Sequence, residues 1–298
     1  MSGQGLPLLA AAATGVLVGI AVVLTRAVID QTSPTAIAFL RYLIGVLCLL
    51  PFLLRLRWVP MRRRDVLPVL LLGIGQFAVL IVLLNYALTL IEAGQAALIF
   101  ATFPLITMAF AVVLGQEPFT FRRLFGLVLT LVGVGFSIGG AALAGVPAEA
   151  QWLGAGAAFL SAVTGAFCSV LYRPYLQRYP TLQIGGLAMA AATVALALVM
   201  APQGYFAHWP QFSFGSWLAV VGIGLTSGLG YLLWLYALNR IWASNVAAFM
   251  GLSPLTAAVL GALFLSEPLT WADALALLCL IAGLCLALAR SDSLKTSM

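Results

Sequence analysis

Ten stretches of the chain stay apolar for about twenty residues at a time, and few folds can accommodate that pattern. They lie at roughly 6–29, 35–56, 66–90, 94–115, 120–141, 152–172, 181–201, 216–238, 243–265 and 271–290. Each is long enough to cross a hydrocarbon core of about 30 Å as a helix, the form that satisfies its own backbone hydrogen bonds in lipid. Composition agrees, with 63% of the 298 residues hydrophobic and 7% charged, against roughly one quarter charged in a soluble domain. The expectation is an all-α polytopic membrane protein with ten transmembrane helices and little chain left for a soluble domain. Ser33-Pro34, Pro180-Thr181 and Glu267-Pro268 place proline where helices would begin. No Lys or Arg precedes the first run, which therefore reads as a retained span rather than a cleaved leader.

The basic residues set the orientation. Arg55, Arg57, Arg62, Arg63 and Arg64 lie between runs 2 and 3, and Arg122 and Arg123 between runs 4 and 5. Arg173 and Arg178 follow run 6, Arg240 follows run 8, and Arg290 and Lys295 follow run 10. With ten spans all of these fall on one side, which the positive-inside rule makes cytoplasmic, together with both termini. Only Arg26 and Arg41 remain, in or at the edge of spans 1 and 2. The net charge of +6 thus reflects orientation in a cell inner membrane and not nucleic-acid binding. Cys48, Cys168, Cys279 and Cys285 sit inside apolar runs without metal-ligand spacing, and His208 is the single histidine. No metal site and no cofactor are expected.

The chain also repeats itself. Tyr86, Ala87, Leu88, Ile91, Ala93 and Ala97 recur 150 positions later as Tyr236, Ala237, Leu238, Ile241, Ala243 and Ala247. Pro104-Leu105 recurs as Pro254-Leu255, Glu117-Pro118 as Glu267-Pro268, and Gly133 as Gly283. Gly19 and Pro34 match Gly165 and Pro180 at an offset of 146. The expected division is residues 1–145 and 146–298, five spans each. Five is odd, so the second half enters the membrane from the opposite side, the inverted arrangement of alternating-access carriers with a site near the midplane between the halves.

With Phe39-Leu40-Arg41 in span 2 and the Tyr-Ala-Leu, Pro-Leu, Glu-Pro and Gly pattern in both halves, the sequence resembles the drug/metabolite transporter superfamily, in its ten-helix, two-repeat EamA branch. The likeness covers about residues 6–290. Arg26, Gly228, Tyr231 and Trp234 make it most similar to the aromatic amino acid exporters. The resemblance implies inverted repeats, a central cavity and export of small metabolites such as amino acids. Where many members carry Trp-Gly in the first helix of each repeat, this chain has Val18-Gly19 and Thr164-Gly165, which leaves more room for substrate or lessens an aromatic preference.

Candidate site residues come from groups that hydrocarbon penalises and from rings that can stack. Gln76 and Asn85 in span 3, and Asn245 and Ser253 in span 9, must be paired or face a cavity. There they could hold the ammonium and carboxylate of a zwitterion, or they could tie helices together. Phe77, Phe100, Phe103, Phe249, Tyr231 and Trp234 lie in the spans expected to line the cavity, with Tyr231 and Trp234 on one helix face. Pro104 and Pro254, midway along spans 4 and 9, are expected to kink them and act as hinges. Arg26 and Arg41 are structural or substrate charges, and Arg41 could pair with Asp30, Glu92 or Glu267 or attract a substrate carboxylate. Glu117 and Glu267 read as helix caps.

None of the eight acidic residues sits mid-span, so a facilitative or exchange mode is expected rather than a proton relay. No phosphate-binding glycine motif suggests an ATP-driven pump. The reading is a non-enzymatic inner-membrane exporter of neutral or aromatic amino acids and similar small metabolites. A drug or other-metabolite exporter of the same fold is the alternative, and a channel or membrane scaffold the alternative from a different class. The expected partners are a small-molecule substrate and the lipid bilayer.

Overall fold

A computed structural model describes residues 5–116, 121, 124–126, 128, 129, 132, 133, 136, 148–206, 210–267 and 271–288. His208, Glu117-Pro118, Arg122, Arg123, Arg290, Lys295 and most of the fifth apolar run lie outside the described residues, which are helices and their connections. Eight helical stretches are long and apolar enough to cross a membrane. Helical residues between 121 and 136 fall in the fifth run. The tenth run forms a helix over Trp271–Leu288 with a shorter apolar stretch at Ala274–Gly283.

The helices start and stop where local chemistry requires. Helix α1, Gly5–Arg26, is followed by α2, Pro34–Arg55. Ser33 accepts a hydrogen bond from the Ala36 N–H at 3.2 Å, and Pro34 takes the first helical position. The third span is one 28-residue rod, Arg63–Leu90, but it is not uniform. Helix α3, Arg63–Gly73, and helix α4, Leu80–Leu90, are joined by a π turn at Ile74–Val79. The fourth span is broken into α5, Ala93–Phe100, and α6, Phe103–Val113. Helix α7 runs Ala148–Leu176, α8 Thr181–Met200 and α9 Phe214–Leu238. The ninth span is broken like the fourth: α10, Ala243–Ala248, a 3₁₀ turn at Phe249–Gly251, then α11, Leu252–Phe264. Helix α12 is Trp271–Leu288.

The two breaks replace the expected proline kinks. Pro104 and Pro254 fall in the first turn of α6 and α11, where backbone N–H groups have no intrahelical partner to lose. The chain turns just before each proline instead of bending at it.

Packing exchanges helices between the two halves. Helix α1 lies along α9 and α11, while α7 lies along α4 and α6. A methyl group added at Gly19 would run into the Ser253 carbonyl at 2.7 Å, and one at Gly165 would run into the Phe103 ring at 2.8 Å. Gly165 matches Gly19, and Ser253 matches Phe103. The first helix of each half thus meets the fourth span of the other half at the same point. Close approach at small residues of this kind, to backbone at Gly19 and to a ring at Gly165, favours helix association in lipid, where apolar burial alone gives little. The outer faces stay apolar, with Val113, Phe214, Phe264 and Trp271 among the most exposed side chains, a surface suited to hydrocarbon and not to water.

Candidate functional site

Spans 3, 4, 8 and 9, together with α1 and α2, line a cavity of about 100 Å³. That is room for several waters. Its wall is drawn from both halves at matching positions. Span 3 contributes Gln76, Phe77, Ile81 and Leu84, and α9 contributes Thr226, Ser227, Tyr231 and Trp234. These are the same four positions, 150 residues apart. Phe100 and Met250, at the breaks of spans 4 and 9, form another matched pair.

Two chains of rings cross the cavity from one half to the other. Tyr42 packs edge-on against Phe77 at 4.8 Å, and Phe77 packs against Tyr231 at 4.2 Å. Phe100 stacks on Phe103 at 5.5 Å, and Phe103 meets Trp234 at 5.5 Å. Tyr231 and Trp234, three residues apart, put one ring into each chain, and each contact contributes about 0.5–1.5 kcal/mol beyond burial.

The π turn sets the aim of Gln76 and Phe77. Its extra residue widens the helix locally, as such turns do at many functional sites. Gly75 permits it, since a Cβ there would lie 2.8 Å from the Cys168 Sγ of α7. Gln76 Oε1 is buried without a hydrogen-bond partner.

The remaining wall comes from α1 and α2, where Thr14, Val18, Ala21, Arg41 and Tyr42 face the cavity. Arg41 is buried, 3% exposed. Its Nη2 donates to Thr25 Oγ1 at 3.1 Å and to the Ala21 carbonyl at 3.4 Å, while Nε has no partner.

Of the sequence-derived candidates, Gln76, Phe77, Phe100, Phe103, Tyr231, Trp234 and Arg41 meet at this cavity. The others lie elsewhere. Asn85 is buried against α2 and donates to the Pro34 carbonyl at 2.9 Å. Asn245 and Phe249 are half-buried near the break of span 9, and Ser253 is fully buried where α11 meets α1. Pro104 and Pro254 are buried beside the breaks, off the wall. Arg26 sits at one end of the molecule, donates to the Leu88 carbonyl at 3.0 Å and lies 3.8 Å from Asp30 and 4.0 Å from Glu267. Glu267 Oε1 also accepts from the Ala93 N–H at 3.1 Å, so it caps α5 in the other half of the chain. Sequence reasoning missed Thr14, Tyr42, Thr226 and Ser227. Hydroxyls within apolar runs were the available signal, but Thr14 and Thr226 also bond back to their own helices, the ordinary fate of such groups.

The two ends are pinned across the halves. At one end Glu267 reaches Arg26 and α5. At the other, Asp65 at the start of α3 accepts from the Tyr179 hydroxyl at 2.8 Å and from Arg178 at 3.3 Å. Gln183 bonds both the N–H and the carbonyl of Val59, at 3.0 and 2.9 Å.

Apolar spanning helices around a central polar and aromatic cavity define a multi-pass membrane protein of the transporter class. The EamA-like transporter family model matches this chain twice, over residues 5–139 and 152–289, and the chain belongs to that family, within the drug/metabolite transporter superfamily. It is 28% identical over 278 residues to the threonine/homoserine exporter RhtA of Salmonella typhimurium, covering 87% of this chain and 83% of that one. It is 29% identical to a probable terminal-alkyne amino-acid exporter of Streptantibioticus cattleyicolor, over 69% of this chain and 67% of that one. An uncharacterized transporter of Archaeoglobus fulgidus is 24% identical over 80% and 82% of the two chains. A solved crystal structure shares the fold with a TM-score of 0.69 at 22% identity, covering 94% of this chain and 95% of that one.

Proposed function

We propose that this protein is an exporter of neutral or aromatic amino acids and similar small metabolites, working by alternating access of two inverted five-helix halves, residues 1–145 and 146–298, in the inner membrane with both termini cytoplasmic. The observation that carries the reading is the cavity wall, built from matching positions of both halves and crossed by ring contacts that join them. Gln76 offers a substrate ammonium an unpartnered acceptor, and the rings offer an apolar side chain stacking surfaces. The reciprocal contacts of Gly19 and Gly165 support the inverted pairing, as do the two separate family matches. The named amino acid exporters among the relatives support the substrate class.

In this conformation α1 and α2 complete the wall, while the matching faces of α7 and α8 do not. In the opposite state α7 and α8 take over that place, with the breaks beside Pro104 and Pro254 absorbing the rearrangement and the pinned ends opening in turn. The mode is facilitative or exchange, because hydroxyls, amides and rings partner a zwitterion without a carboxylate relay. Asn85, Asn245, Phe249 and Ser253 hold the surrounding helices in register.

Counterflow in proteoliposomes tests this. Vesicles are loaded with one unlabelled amino acid (phenylalanine, tryptophan, threonine, methionine or lysine) or with a nucleoside, and uptake of the same labelled compound is followed. A transient overshoot for the neutral amino acids is the expected result. Overshoot for the nucleoside alone would shift the assignment to another metabolite exporter, and flux without saturation would indicate a channel.

A further inference from the structure

We propose that Arg41 is the subsite for a substrate carboxylate, which makes the cavity selective for carboxylates and zwitterions over amines of the same shape. This rests on the carrier reading above and deepens it.

The argument begins with the cost of the side chain. A guanidinium buried within a membrane span needs a counter-charge or water. Arg41 stands seven residues into α2, roughly 10 Å along the helix, and is 3% exposed. Among the described residues, no carboxylate oxygen lies within 4 Å of it. Two of the acidic residues expected as its partners, Asp30 and Glu267, lie beside Arg26 instead. What Arg41 holds is neutral, the Thr25 hydroxyl, the Ala21 carbonyl and the neighbouring Tyr42 hydroxyl. The first two fix one edge of the fork on α1, while Nε is left without a partner and the residue lines the cavity. A planar fork with an unused donor suits a carboxylate.

Two further observations assign the role to ligand and not to fold. The matching position in the second half is Leu187, on a helix that packs without a charge there. The cavity also supplies the complementary group, because Gln76 Oε1 is an unpartnered acceptor in the same wall. Arg41 and Gln76 thus offer a cation and an acceptor to the two ends of a zwitterion.

The test uses binding and flux as separate readouts. Purified full-length protein in nanodiscs is titrated with phenylalanine, leucine and threonine, with the deaminated acid of each and with the decarboxylated amine of each. Binding is followed by tryptophan fluorescence, with Trp234→Phe as the control for signal arising at the cavity. The amino acids and acids should bind, and the amines should bind about tenfold more weakly or worse. Arg41→Gln should remove the preference for acid over amine, and Arg41→Lys should keep part of it. The wild-type preference needs no variant, so a misfolded Arg41→Gln protein would not shield the proposal. Amines binding as well as acids, no binding by any probe, or acid binding unchanged in folded Arg41→Gln would each overturn it. Counterflow then separates the two readings: binding without flux sinks the carrier and keeps the subsite, and flux indifferent to Arg41 sinks the subsite and keeps the carrier.

Discussion

The third span, Arg63–Leu90, and α9 hold matching places in the two halves, yet they meet the cavity differently. The third span widens into a π turn at Ile74–Val79, whereas α9 is regular helix over the matching residues 224–229. Their side chains differ at the same place. Helix α9 has Gly224 and Gly228 there, and α2 packs so close that a Cβ at Gly224 would lie 2.5 Å from Ile44 Cβ. The third span has Ile74 and Ala78 at those positions. Along the wall, matching positions carry unlike side chains: Phe77 matches Ser227, while Ile81 and Leu84 match Tyr231 and Trp234. The two related halves thus differ both in this helix-on-helix contact and where they meet the cavity.

That contrast can be broken most severely at its tightest contact. Gly224→Ile should cost about 1–3 kcal/mol or more through overpacking, read as a lower melting temperature and less monodisperse protein in detergent. The reverse change, Ile74→Gly, should cost only about 1 kcal/mol. Equal losses would mean that α2 does not discriminate between the two helices.

Deleting Gly75 sharpens the comparison next. It would return the third span to α-helical register and rotate Gln76 and Phe77 by about 100° relative to α3. Helix content by circular dichroism should hold while counterflow falls about tenfold or more. Full transport would make the π turn incidental.

A smaller effect is expected from Trp234→Leu, which removes the ring contact with Phe103, about 0.5–1.5 kcal/mol, so apparent affinity should fall roughly two- to tenfold. Leu84→Trp in the same chain should recover part of the loss by restoring bulk from the opposite wall. No recovery would show that the two walls are not interchangeable.

The smallest effect lies where the halves meet at their ends. Glu267→Gln keeps an amide oxygen to cap Ala93 and loses only a 4.0 Å ion pair to Arg26, about 0.5 kcal/mol. Asp65→Asn should cost more, since Asp65 accepts from both Tyr179 and Arg178, as charge-assisted bonds are stronger than neutral ones. Melting curves of the two variants decide the order.

Much of the fold was legible because hydropathy reports solvent directly. The start of α2 at Ser33-Pro34 was readable, since a capping hydroxyl and a preset proline φ act locally. The breaks at 100–103 and 249–251 were harder. Proline marked the right neighbourhood, but the chain turns before it, because the N-terminal turn of a new helix tolerates proline without losing a bond. Tyr231 and Trp234 were chosen for their shared face, and they line the cavity. Asn85 and Ser253 were chosen, like Gln76, as polar groups within spans, yet only Gln76 of the three lines it. Polarity within a span requires a partner, but it does not say whether that partner is a carbonyl, such as that of Pro34, or a cavity. The part played by α1 and α2 in the wall left no trace in periodicity, because rotation about a helix axis is invisible to a helix that is apolar all round.

The sequence alone determined that this chain lives in a membrane, that it is helical, and that it is made of two related halves. Those conclusions rest on the solvent each residue demands and on a repeat written in the order of residues. Only the tertiary structure decided which faces turn inward, where the third span widens, and that Arg41, among neutral partners, lines the same cavity as Gln76. Such outcomes depend on how close two helices can come, which glycines and side-chain volumes on separate helices settle together and no single segment specifies.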